Sequence, residues 1–325
     1  MIHAAIVGLG VWGQNLVRSL QGNSKKIQIT KGTTRTLSKA EDFAKEQKFE
    51  LVNSYEDLLT DSDIEAVVLA TPHALHLPQI QAAAAAGKHI FVEKPITLFK
   101  QDSEAAAQAA RDAGVVLAVG QNRRFHPSYW EMQKRIESGQ LGTILHIEGN
   151  FSAPGIDFYR PQSWRVDPEE CPAGGMTGMG IHIVDAIIDL CGPIETVYAQ
   201  SFAKVYKAGI DDSTSVLMRL QSGASAYLGT SVATAWCYML RIIGDQGWAE
   251  IQNRDADKFI FVPRSGERED IDFGAYPWEL AELEAFAAAI GGKPYLVTEA
   301  DFIHSTAVLR AIVDSAERQE RVSVP

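Results

Sequence analysis

Through the first 120 residues, short runs of aliphatic and β-branched residues alternate with longer amphipathic stretches. The apolar runs predict strands at Ile2–Val7, Ile27–Thr30, Glu65–Ala70, His89–Val92 and Val115–Val119. Between them, segments rich in alanine and leucine with charged edges predict helices at Val11–Leu20, Lys39–Gln47, Leu75–Ala86 and Phe99–Ala113. Strand and helix in strict alternation build βαβ units around a parallel sheet. After Gln121 the rhythm changes. A helix near Pro127–Glu137 and a strand at Ile144–Phe151 lead into a long loop rich in Pro, Gly, Trp and Arg, then a helix at Gly180–Leu190. Strand-like runs follow at Glu195–Ser201, Thr214–Leu220, Ala224–Thr230, Met239–Ile243, Ala249–Ile251 and Phe259–Val262, before two helices at Trp278–Ile290 and Glu299–Glu317. Consecutive strands on short connections imply a mostly antiparallel sheet. The expected fold is an α/β domain over residues 1–122, then an α+β domain with an open sheet over 123–325. The C-terminal helix is a candidate for packing back on the first domain.

A chain of 325 residues is long enough for two cores. Its net charge of −11 and pI near 5.2 remove the basic field that attracts nucleic acid or acidic lipid, so neither is expected as a partner. Cys171, Cys191 and Cys237 are odd in number and include no CxxC pair, which favours a reducing compartment over a disulfide framework. The first residues lack a basic leader and run directly into a strand, and no apolar run approaches the roughly 20 residues of a membrane span. A cytoplasmic location is the expectation. His73 and His76 lack a further ligand nearby, so no metal is expected.

Gly8-Leu9-Gly10-Val11-Trp12-Gly13 follows the first strand and opens the first helix. In a dinucleotide fingerprint of the Rossmann type, one glycine makes the tight turn, the next admits the pyrophosphate, and the third lets helix and strand approach; the helix N-terminus supplies free amides. The second strand leads to Lys31-Gly32-Thr33-Thr34-Arg35-Thr36, and no acidic residue stands between Gly13 and Glu41. The usual carboxylate for the NAD ribose is therefore missing. Thr34 and Arg35 suit a 2′-phosphate, which favours NADP, with NAD the alternative.

Thr71-Pro72-His73 to His76, Ala85-Ala86-Gly87-Lys88-His89, Glu93-Lys94-Pro95, Gln121-Asn122-Arg123-Arg124-Phe125-His126-Pro127, Trp164-Arg165, and Gly174-Gly175 followed by Gly180-Ile181-His182-Ile183-Val184-Asp185 stand in one order along nearly the whole chain. Together they resemble the glucose–fructose oxidoreductase and inositol dehydrogenase family. The resemblance implies that Lys94 is the acid/base beside nicotinamide and substrate hydroxyl, that Pro95 is cis, and that His182 is the second catalytic group. Relatives often carry an aspartate four residues before that histidine; here the position is Gly178, which breaks the full proton relay. Thr71, Pro72, His76, Glu93, Asn122, Trp164 and Arg165 join the glycine motif as expected cofactor contacts. Asp185, Tyr159, Arg123 and Arg165 are the expected substrate contacts, with Arg160 in the same loop.

The expected activity is hydride transfer between NADP and a secondary alcohol or ketone of a sugar, cyclitol or similar small polyol. Two other readings stand beside it: a glycosidase that uses NAD for transient oxidation, and a non-catalytic dinucleotide sensor motivated by Gly178. Relatives form dimers and tetramers, so a homodimer or homotetramer is expected.

Overall fold

The computed structural model describes residues 1–155, 163–205 and 209–325. Two compact units divide the chain, one formed by residues 1–122 and 277–302, the other by 123–276 and 303–325.

The first unit holds a six-stranded parallel sheet in the order β3-β2-β1-β4-β5-β6, with β1 Ile2–Val7, β2 Ile27–Thr33, β3 Glu50–Leu51, β4 Ala66–Leu69, β5 His89–Glu93 and β6 Leu117–Gly120. Continuous burial of Ala4–Val7, Ala66–Leu69 and Ile90–Glu93 shows strands covered on both faces, as crossover helices require. Those helices are α1 Val11–Leu20, α2 Glu41–Gln47, α3 Tyr55–Thr60, α4 His76–Ala85 and α5 Lys100–Ala113. A further helix, α8 Trp278–Ile290, returns from far down the chain, and its Leu283, Phe286 and Ala287 share a core with Leu16, Leu20 and Phe91. The chain order reverses between β1 and β4, the switch point at which open parallel sheets bind ligands. Neither β3 nor α3 stands out in the pattern: two residues carry no period, and α3 has only six. Its capping box, Ser54 with Asp57, is the one local signal.

The second unit holds a nine-stranded sheet in the order β14-β13-β12-β11-β7-β10-β9-β8-β15. Its strands are β7 Ile144–Pro154, β8 Ile194–Phe202, β9 Ser213–Leu220, β10 Ser225–Ser231, β11 Ala233–Gly244, β12 Gly247–Gln252, β13 Lys258–Pro263, β14 Glu269–Asp272 and β15 Val322–Ser323. All pairings are antiparallel except that of β7 with β10. Helix α7 Ile181–Cys191 lies in the long connection between those two strands and crosses β7 where Gly149 leaves room: a Cβ there would stand 2.4 Å from Ile183 Cγ2. Helices α6 Pro127–Glu137 and α9 Glu299–Arg318 complete the elements, the first four residues of α9 belonging to the first unit. Strand β14 is charged and β11 begins with five exposed residues, so neither shows the alternation that marks a half-buried strand.

Candidate active site

In the first unit the residues that the fingerprint picks out gather at the carboxyl edge of the parallel sheet. Gly8 ends β1 with φ +94°, and a Cβ there would lie 2.5 Å from Ala70 O; a Cβ on Gly13 would lie 1.9 Å from Gly8 O. Only glycine fits either place. Gly10 differs, because an added Cβ meets nothing within 4 Å. It caps α1, whose first residue, Val11, is 71% exposed. The first-turn amides of a helix have no intrahelical acceptor, so this open step beside them fits a pyrophosphate.

At the end of β2, Thr34 Oγ1 accepts from Leu9 N at 3.3 Å and thereby fixes the glycine turn. Lys31 is ion-paired with Asp61, whereas Arg35 is exposed and has no ion pair among the described residues. At the end of β4, Thr71 packs its methyl toward Gly8, and its hydroxyl donates to Gln79 Oε1 at 2.6 Å. Pro72 precedes the turn into α4.

His76, an expected cofactor contact, opens α4 and is fully buried. Nδ1 lies 3.1 Å from both Pro95 O and Ile96 O, and Nε2 lies 3.0 Å from Thr71 O. Burial lowers its pKa against the pull of these carbonyls. The ring thus clasps the loop after β5 to the loop after β4. Lys94, the residue directly after β5, begins the clasped loop, and its bond to Pro95 is cis.

Glu93, another expected cofactor contact, is the last residue of β5 and is buried. Burial pushes its pKa up to about 7, opposed by the charge of Lys94. Asn122 Nδ2 points to Glu279 Oε1 at 3.5 Å, as does Asn15 Nδ2 from α1. Glu279 and Glu282, both on α8, were not anticipated, because a helix so distant in sequence gives no sign of returning to this edge.

In the second unit, Arg123, His182 and two unanticipated aromatic residues form one cluster. The Arg123 guanidinium lies 4.8 Å from the Phe151 ring centroid and 4.3 Å from that of Tyr238, and Phe151 stands 5.9 Å from the His182 ring. His182, in the first turn of α7, is 6% exposed. Asp185, expected on the same face to serve His182 or substrate, has both carboxylate oxygens engaged by Arg124, each at 2.7 Å. Arg124 also reaches Asp189 at 2.8 Å, and Tyr129 donates to that carboxylate at 2.6 Å. The buried ion pair anchors α7, which gives Asp185 a structural task.

Trp164 and Arg165 form a short 3-10 turn capped by Ser163, with the guanidinium 4.2 Å above the indole. Gly178 falls in the π-helical turn Met176–Gly180 that precedes α7. Tyr159 and Arg160 lie outside the described residues. No three His, Cys, Asp or Glu side chains gather as a metal site would need, among the described residues.

Residues 2–121 match the model of an oxidoreductase family with an NAD-binding Rossmann fold, and residues 129–250 match the GFO/IDH/MocA C-terminal domain. The chain belongs to the GFO/IDH/MocA oxidoreductase family. It is 30% identical over 264 residues to the uncharacterized oxidoreductase YrbE of Bacillus subtilis, covering 78% of this chain and 74% of that one. Identity to scyllo-inositol 2-dehydrogenase (NAD(+)) of the same organism is 29%, over 92% and 90% of the two chains. Levoglucosan dehydrogenase, solved with NADH and levoglucosan, superposes with a TM-score of 0.90 at 22% identity, over 100% and 99% of the chains, which establishes a shared fold. As a member of this family the chain is an NAD(P)-dependent oxidoreductase.

Proposed function

We propose that this chain is an NADP-preferring dehydrogenase or reductase that moves a hydride between nicotinamide and a secondary alcohol or ketone of a sugar, cyclitol or similar small polyol. The observation that carries the reading is that an open glycine step at a helix N-terminus and a lysine after β5 share the carboxyl edge of one sheet. Bound there, the dinucleotide supplies the hydride acceptor or donor. In the oxidising direction the hydroxyl proton passes to the Lys94 amine as hydride leaves the carbon; in the reducing direction the ammonium returns it. His182, beside Phe151 in the second unit, is the second proton-handling group, and Trp164 with Arg165 serves cofactor and substrate. The similarity to an inositol dehydrogenase makes cyclitols and aldoses the first substrates to try.

Preference for NADP rests on Arg35, exposed and without an ion pair among the described residues, and on the absence of a carboxylate from the sequence at the end of β2. A charge-assisted hydrogen bond contributes about 1.5–3 kcal/mol, so Arg35→Ala should weaken NADPH binding by roughly 10- to 100-fold and leave NADH binding unchanged. Quenching of tryptophan fluorescence measures both affinities, and absorbance of the reduced cofactor measures turnover across the substrate panel. Equal binding of NADH and NADPH, insensitive to the substitution, would make NAD the cofactor; no turnover with any polyol or keto-sugar would remove the substrate class.

A further inference from the structure

One feature of the first unit exceeds what hydride transfer alone requires. Glu282 lies on α8 with 0% exposure, between helical neighbours that pack apolar residues, and neither carboxyl oxygen has a hydrogen-bond partner among the described residues. A buried carboxyl without a partner carries a large desolvation cost, and Leu would fill the same space without it. Its location explains its presence. Phe286, one turn later on α8, meets Phe91 of β5 with ring centroids 5.8 Å apart. Two residues along a strand and four along a helix each return to the same face, after about 6.6 Å and 6 Å respectively. The same step from the two rings brings Glu93 on β5 level with Glu282 on α8. Gly120 of β6 makes room for this arrangement, because a Cβ there would stand 2.9 Å from the Phe91 ring and 3.0 Å from Glu93 Oε1.

We propose that Glu282 is a positioning residue for Lys94: a carboxyl set against Glu93 that governs the negative charge the lysine experiences. The inference rests on Lys94 being the proton-handling group of the proposed reaction. Burial first, then the neighbouring Glu93 and Glu279, raise the Glu282 pKa well above the carboxylate range, while Lys94 lowers it. Burial pushes the Glu93 pKa up to about 7, again opposed by the charge of Lys94; the Trp12 indole favours its charged form without a well-formed hydrogen bond. Two buried carboxyls so placed resist being ionised together, and the charge of Lys94 favours ionising one of them. Linkage is reciprocal, so each protonation of Lys94 by substrate makes the pair more acidic, and ionised Glu93 in turn holds the lysine proton. The neutral Glu282 carboxyl supplies a dipole beside Glu93 that an alkyl group lacks.

The test combines two substitutions with two readouts. Infrared titration of the apoprotein, without cofactor or substrate, should show one protonated carboxyl lost near pH 7 and another that persists above it. Glu282→Gln should remove the persistent band and keep the first; Glu282→Leu should move the first upward by about one unit, tenfold in proton affinity, because Glu93 loses its polar neighbour. The matching limb in the pH profile of kcat/KM should move with it in the Leu variant and stay in place in the Gln variant. Thermal unfolding should show the Leu variant no less stable than the parent, since a desolvated carboxyl has been exchanged for a hydrocarbon. Absence of a carboxyl titrating near neutrality in the parent protein would overturn the proposal even if no variant folds. So would a Leu variant whose titration and pH profile are unchanged, or one that loses stability in step with activity. Failure to find any dehydrogenase substrate would strike the proposed reaction and leave the infrared result standing by itself.

Discussion

A buried imidazole at the start of α6 is stable only while it is neutral. His126 caps that helix by accepting from Ser128 N at 3.2 Å, and burial, reinforced by the charge of Arg123, lowers its pKa to about 4. The unfolded chain binds a proton near 6.5 that the folded one takes up only near 4, so stability is complete above 6.5 and falls as the pH drops between those values. His126→Asn keeps a capping oxygen and removes the titration. Its unfolding midpoint should fall less than the parent's between pH 6.5 and 4, as followed by circular dichroism. Lys94 gives the other prediction at this scale. Replacement by Ala should lower kcat by about 10²- to 10⁴-fold, the usual worth of a positioned acid/base, while cofactor affinity from fluorescence titration stays within a small factor. A comparable loss of binding would instead make Lys94 a cofactor anchor.

Elements with a strong period were legible in the chain, and elements defined by partners were not. The strands β1, β4 and β5 are continuous apolar runs because both their faces are covered, and α1 and α5 show their stripes and their terminal glycines. Strands β3 and β15, two residues each, exist only through the strand beside them. The glycine motif, Thr71 and Lys94 could be located from sequence because a turn after a strand fixes their place at the sheet edge. The surroundings of His76 and Asp185 could not, since each depends on a partner distant along the chain: Pro95 and Arg124. Arg124 shows how much such a partner matters. It leaves the turn Asn122–Phe125 fully buried and binds both oxygens of Asp185 on α7. Arg124→Met leaves that carboxylate buried without its charge partner, and breaking a buried pair costs about 3–5 kcal/mol. The unfolding midpoint should drop accordingly, and Asp185→Asn introduced with it should recover part of the loss. No change in midpoint would mean that water reaches Asp185.

At the scale of the whole molecule, the two faces of the nine-stranded sheet are unequal. Along β9 and β10, Val216, Met218, Leu220, Ala226 and Leu228 turn inward and are buried. Pairing across β8, β9 and β10 sets Tyr198 opposite Leu217, and Leu217 opposite Tyr227, in one row on the other face. These three are 37%, 58% and 39% exposed. Each chain carries a net charge of −11, so like copies repel at long range and association must draw on apolar contact. We propose that this row of two tyrosines and a leucine meets a second copy of the chain, where aromatic rings bury large areas at small cost in side-chain entropy. Leu217→Asp places a charge at the centre of that row. Sedimentation at micromolar concentration should give a multiple of 35.5 kDa for the parent and a smaller assembly for the variant. Higher salt should favour the parent assembly by screening the repulsion, and should do little for the variant, whose new carboxylate would still have to be desolvated. A parent that sediments as a single 35.5 kDa chain leaves this face open to solvent. An assembly that persists unchanged in the Asp variant moves the interface to another surface of the chain.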